Sequence, residues 1–78
     1  MKLLVRNLAR TTTEHDIRKL FSEYGAVAEC TLVLDQETGL SKGFAFVEMP
    51  DDSEAKSAIA ALNLTSVAKS KIRVKTAQ

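Results

Sequence analysis

The chain has 78 residues, 45% of them hydrophobic and 27% charged, with a formal net charge of +1. That is apolar material for one modest core and too little chain for an enzymatic cleft between domains, and the near-neutral total is weak support for a polyanion partner. A single cysteine, Cys30, excludes an intrachain disulfide or a CxxC pair, and with no signal peptide, lipid anchor or bilayer-length apolar run the chain reads as intracellular.

Hydrophobic periodicity alternates between two and about 3.6 along the chain. Leu3 and Val5 alternate with Lys2, Leu4 and Arg6, which predicts a first strand ending near Asn7. Thr13, with the Asp16 carboxylate three residues on, starts a helix whose apolar face is Ile17, Leu20, Phe21 and Tyr24 and whose stop is Gly25. A second strand is predicted from about Val27 to Leu34, with Cys30, Leu32 and Leu34 on one face and Glu29, Thr31 and Val33 on the other. The segment Asp35 to Ser41, with Thr38 and Gly39, reverses the chain as a hairpin into the strand Lys42 to Met49, which Pro50 closes. Asp51 and Glu54 read as a reciprocal cap for a second helix with the stripe Ala55, Ala58, Ile59 and Leu62. Leu64 to Ser70 carries no readable pattern. Lys71 to Lys75 is the last strand, with Ile72 and Val74 inward and Lys71, Arg73 and Lys75 outward.

The order βαββαβ predicts an α+β, ferredoxin-like sandwich. Right-handed crossovers lay both helices on one face of a four-stranded antiparallel sheet and leave the other face open. Within the octapeptide KGFAFVEM, Gly43, Ala45, Val47 and Met49 share one face while Lys42, Phe44, Phe46 and Glu48 share the other. Burying the phenylalanines would drag Lys42 and Glu48 inside without partners, so the rings face water as an uncovered apolar platform suited to stacking bases. Lys2, Leu4, Arg6, Glu29, Thr31, Val33, Arg73 and Lys75 share that outward face, which is aromatic and mostly basic. Acidic residues gather instead on helices and loops, at Glu14, Asp16, Glu23, Asp35, Glu37, Asp51, Asp52 and Glu54. Such segregation would steer a nucleic-acid strand to the phenylalanines despite the small net charge.

The chain resembles an RNA recognition motif domain over its whole length. KGFAFVEM is similar to the family's octapeptide and LLVRNL, Leu3 to Leu8, to its hexapeptide, and the segments TTEHDIRKLFSEYG, DQETGLSKGFAF and EAKSAIAALN follow the family's order. The resemblance is nearest to small bacterial single-domain members, which implies one domain over residues 1–78 and a cytoplasmic, monomeric protein; an excised eukaryotic domain, nuclear or cytoplasmic, is the alternative. It implies single-stranded RNA as partner, with single-stranded DNA as an extension, no membrane, no cofactor and no metal. By the same resemblance Phe46 stacks under a base, Phe44 packs on ribose, Lys42 meets phosphate, and Thr31 and Val33 widen the platform. Lys75, Thr76, Ala77 and Gln78 would meet base edges, and Asn7 would orient a loop or touch a base.

Two positions depart from the family pattern. The hexapeptide's second residue, usually aromatic, is Leu4, which removes a second stacking platform, and the usual Asn-Gly after the second helix is Asn63-Leu64. Leu4 favours an alternative function as a protein-interaction module, against which the intact Phe44 and Phe46 argue. A third class, an acylphosphatase-like enzyme on the same plan, lacks a glycine-rich anion loop before the first helix, where Leu8 to Thr13 stand instead. Lys2, Arg6, Arg73 and Lys75 also suit a plain solubilising role on a sheet face. His15 has no nucleophile or metal ligand at suitable spacing and no catalytic residue is assigned, while Phe21 and Tyr24 belong to the core.

Overall fold

Alternation in the strands and 3.6-residue spacing in the helices lead to one shared apolar layer. The computed structural model describes residues 1–77, in the order β1 (Lys2–Arg6), α1 (Glu14–Ser22), β2 (Glu29–Leu34), β3 (Ser41–Glu48), α2 (Asp52–Leu62), β4 (Ser66–Val67), β5 (Ser70–Lys71) and β6 (Arg73–Thr76). The main sheet is antiparallel throughout and ordered β2-β3-β1-β6, so the two motif strands, β1 and β3, are central neighbours. Leu3, Val5, Cys30, Ala45, Val47, Ile72 and Val74 of the sheet form one buried cluster with Ile17 and Phe21 of α1 and Ala55, Ala58 and Leu62 of α2. Both helices therefore cover the same side, and the opposite side carries the polar and aromatic positions. Leu20 packs at the cluster's margin, as its helical spacing predicts, and Tyr24, expected on the same helical face, reaches that margin from the turn beyond the end of α1.

Caps fix where the helices begin. In α1 the Thr13 hydroxyl accepts the Asp16 N–H at 3.1 Å and the Asp16 carboxylate accepts the Thr13 N–H at 3.0 Å, a complete capping box. The reciprocal cap expected at α2 is only half made: Asp51 accepts the Glu54 N–H at 3.0 Å, but Glu54 reaches away to accept the Ala26 N–H at 3.2 Å. That contact corrects the reading of Gly25 as a helix stop. α1 ends at Ser22 with Glu23 as its cap, and Gly25 instead leaves room for the Glu54 side chain, which a Cβ there would strike.

Three strand expectations also change. β2 begins at Glu29 rather than Val27, where the Val27 carbonyl is taken by the Arg18 guanidinium at 3.3 Å. Leu34, expected inward with Cys30 and Leu32, is 50% exposed. The register shifts between Leu32 and Leu34, and Glu14, at the start of α1, already lies over Cys30 and Leu32, so Leu34 projects past the helical cover. The expected last strand breaks at Ile72, whose N–H donates to Thr65 while its carbonyl accepts from Leu64. Lys71 therefore pairs with Ser66 in a separate β4–β5 hairpin, and only Arg73–Thr76 joins β1. That hairpin fills the segment Leu64 to Ser70, which showed no pattern because its turn residues Ala68 and Lys69 hold φ of 51° and 70° without a glycine to announce them.

Candidate nucleic-acid interface

Strand register sets the open face in transverse rows. Phe46 on β3 lies opposite Thr31 on β2 and Leu4 on β1, and Leu4 lies opposite Lys75 on β6, so one row crosses all four strands. Toward one end of the strands Glu48 lies opposite both Glu29 and Lys2. Toward the other, Arg6 lies opposite Arg73, next to the start of β3 with Lys42 and Phe44. Val33 is half-buried beside the register shift and lines a depression with Lys42 and the hairpin. Gln78 lies outside the described residues.

Phe44 and Phe46 stand on this face but not as the uncovered platform the alternation suggests. Both are half-buried. Their rings meet edge to face, with centroids 6.2 Å apart and planes at 87°, and the Lys2 ammonium lies 5.0 Å from the Phe46 centroid. This is favourable ring-quadrupole geometry, so the pair holds its own orientation and keeps apolar surface available.

Glycine is required at Gly43. Its φ is +86°, and a Cβ there would come within 3.3 Å of the Leu8 carbonyl. The close approach lets the Leu8 N–H donate to the Gly43 carbonyl at 2.8 Å, fastening the β1–α1 connection to the start of β3. Asn7, at φ 60°, donates its side-chain N–H to the Lys71 carbonyl at 2.7 Å, so its amide nitrogen orients the β4–β5 hairpin. Arg10 is a neighbour that sequence reasoning missed. Its guanidinium donates to the Ser41 carbonyl at 2.9 Å and joins Arg6, Lys42 and Phe44 around one recess. Only the length of the loop after Asn7 hinted at it, since no strand or helix period covers that position.

The charge pattern has a structural origin. Carboxylates set away from the face are held in caps and turns: Glu14 accepts the Leu32 N–H at 3.3 Å on the sheet edge, and Asp35 accepts the N–H groups of Glu37 and Thr38 at 2.8 and 3.2 Å. Backbone hydrogen bonds hold the carboxyls of Asp16, Asp35 and Asp51 below the usual range, so they stay charged where they are. The face itself is graded rather than evenly basic, from the Glu29 and Glu48 end to the arginine end. Among the described residues no group of three or more His, Cys, Asp and Glu could hold a metal ion, and no helix is long and apolar enough to cross a membrane.

Comparison with known proteins matches residues 3–73 to the family model described as RNA recognition motif. "Putative RNA-binding protein RbpF" of Nostoc sp. is 46% identical over 63 residues, covering 81% of this chain and 60% of that protein. The chain thus spans about three fifths of the length of the curated relatives it matches first. Among solved structures, the crystal structure of RNA binding protein PG1 superposes with a TM-score of 0.96 at 40% identity, covering 99% of this chain and 93% of that one. The Rna15 domain with bound RNA (GU) gives 0.89 at 27% identity, covering 99% and 82%.

Proposed function

Because the chain belongs to the RNA recognition motif family, we propose that residues 1–78 act as one domain that binds single-stranded RNA across the open face of the sheet. The observation that carries this reading is the in-register row Thr31, Phe46, Leu4 and Lys75, an apolar centre with a cation at one edge and arginines beside it. One base stacks on Phe46, a ribose packs against Phe44, and Lys42, Arg6, Arg73 and Lys75 meet phosphates, while Thr31 and Val33 extend the contact. Lys2 stays over Phe46 and Asn7 positions the hairpin, while the family resemblance alone gives Gln78 a contact with a base edge. The protein is a binding module and not an enzyme.

With Leu4 in place of a second ring, binding is modest and tolerant of sequence. Stacking does not distinguish ribose from deoxyribose, so single-stranded DNA competes. The domain acts as a monomer, and bacterial relatives such as the Nostoc protein support a role in the bacterial cytoplasm. A salt titration of a short unstructured RNA, followed by fluorescence anisotropy, tests the reading. Arg73→Gln with Lys75→Gln should weaken binding to every sequence and reduce the slope of log affinity against log salt by about 0.7 per lost phosphate contact, while Lys19→Gln with Lys56→Gln on the helices should do neither. Equal losses from the two pairs would place the attraction in the total charge or on the helical side.

A further inference from the structure

At the acidic end of the face, outward residues of three strands form a further row beyond Phe46. Lys2 on β1 lies opposite Glu48 on β3, and Glu48 lies opposite Glu29 on β2, so the row runs cation, carboxylate, carboxylate. One row back stand Phe46 and Thr31, and the five side chains line a single recess. All three charged residues are exposed. Glu48 stands two residues from Phe46, about 7 Å along the strand, which puts the row at the edge of a flat ring stacked on that phenyl group rather than beneath it. Folding does not account for the arrangement, because like charges directly opposite in an antiparallel pair are destabilising. Among the described residues no cation lies within ion-pair distance of Glu29 or Glu48. Lys2, the partner that register offers to Glu48, lies instead 5.0 Å from the Phe46 centroid. Glu14 and Glu54, by contrast, are engaged by backbone N–H groups at 3.3 and 3.2 Å. The recess therefore presents two acceptor groups and one donor beside a stacking surface.

We propose that this row selects guanine for the base stacked on Phe46, at one position of a strand that is otherwise read with tolerance. A carboxylate only accepts hydrogen bonds and an ammonium only donates them. Along its Watson–Crick edge guanine shows an acceptor, O6, followed by two donors, the N1–H and the 2-amino group, and the row answers in the same order. Lys2 donates to O6, Glu48 accepts the N1–H and one 2-amino hydrogen on its two oxygens, and Glu29 accepts the other. Paired, charge-assisted bonds of this kind discriminate between bases. Uracil has carbonyls on both sides of its single N3–H and would turn them toward the carboxylates. Adenine and cytosine each bring one amino group beside ring acceptors and satisfy only part of the row. The negative pair also repels phosphate, which keeps the backbone away and leaves the recess to a base edge. The assignment rests on the RNA-binding reading for a base on Phe46, and on the strand register for that base's identity.

A short oligouridine carrying one guanosine, moved position by position, tests it by fluorescence anisotropy. At one position guanosine should bind the unaltered protein about tenfold more tightly than uridine. Adenosine and cytidine there should gain less, and inosine, which lacks the 2-amino group, should fall between guanosine and uridine. Glu48→Gln should abolish the preference and Glu29→Gln should reduce it, both folds verified by circular dichroism. The readout is the ratio of the guanosine and uridine affinities, which a general loss of binding would not move. A ratio unchanged in both variants overturns the assignment, as does adenosine or cytidine bound more tightly than guanosine. If every strand binds the unaltered protein equally while Phe46→Ala weakens them all, RNA binding across the sheet stands and the guanine selection falls. If no strand binds, both fall.

Discussion

The Lys2 ammonium lies 5.0 Å from the centroid of the Phe46 ring, so the side chain best placed to stack a base already carries a cation. Lys2 and Phe46 belong to the two central strands, and their contact adds to the half-burial of the ring. Phe46→Ala should therefore weaken binding to a short single strand by roughly 1 to 3 kcal/mol and lower folding stability by about 1 kcal/mol. Anisotropy titration and urea unfolding measure the two effects separately. Unchanged affinity in a folded variant would remove Phe46 from the interface.

Leu4 shares its row with Phe46 and Lys75. Its flanking residues Leu3 and Val5 are fully buried, so enlarging Leu4 leaves the core untouched. Leu4→Phe should change stability by no more than about 0.5 kcal/mol and tighten RNA binding by up to roughly 1 kcal/mol, less than a full stacking contact because leucine already offers apolar area. Normal folding with equal or weaker binding would mean that RNA does not cross β1 at this row and would strengthen the protein-interaction alternative.

Backbone conformation yields a stability test away from the face. Leu64 holds φ 67° and is 52% exposed, and Lys69 holds φ 70° in the two-residue turn between β4 and β5. Left-handed conformations cost an ordinary residue roughly 1 to 2 kcal/mol, of which glycine's extra chain entropy returns about half. Leu64→Gly and Lys69→Gly should each stabilise the fold by about 0.5 to 1 kcal/mol in urea unfolding. A loss of stability in both would show that these side chains contribute more than their backbones cost.

Acid should dissolve the α1 cap. The Thr13 backbone N–H, and then its hydroxyl, hold the Asp16 carboxyl below its ordinary value. The unfolded chain therefore takes up the proton first, and the box's contribution is present above about pH 4 and lost as pH falls through the lower folded value. Thermal melts of the unaltered protein and Asp16→Ala should differ most near neutrality and converge in acid. A difference that stays constant into strong acid would contradict the assignment.

How far the sequence speaks depends on whether a residue's neighbours are local. The alternation in KGFAFVEM places Phe44 and Phe46 opposite Ala45 and Val47, and the sheet shows that partition directly. Thr13 and Asp16 are three residues apart, and their box forms. Glu54 has the same spacing from Asp51, yet Ala26, distant in sequence, takes its carboxylate, and no local pattern contains that competitor. Leu34 fits the inward parity of β2, but where α1 stops covering the sheet is a tertiary fact. Arg10 belongs to no periodic segment, and the Ser41 carbonyl that positions it lies 31 residues away. The β4–β5 hairpin escaped because its turn uses Ala68 and Lys69 in conformations normally signalled by glycine.

The central claim, that RNA lies on the open face of the sheet, is tested most directly by an NMR titration of the isotope-labelled protein with a short unstructured RNA. The account predicts shifts concentrated on Leu4, Arg6, Arg10, Thr31, Lys42, Phe44, Phe46 and Lys75, with α1 and α2 nearly silent along Lys19, Lys56 and Ala60. Shifts centred on the helices, with the Phe44 and Phe46 ring signals unmoved, would contradict it.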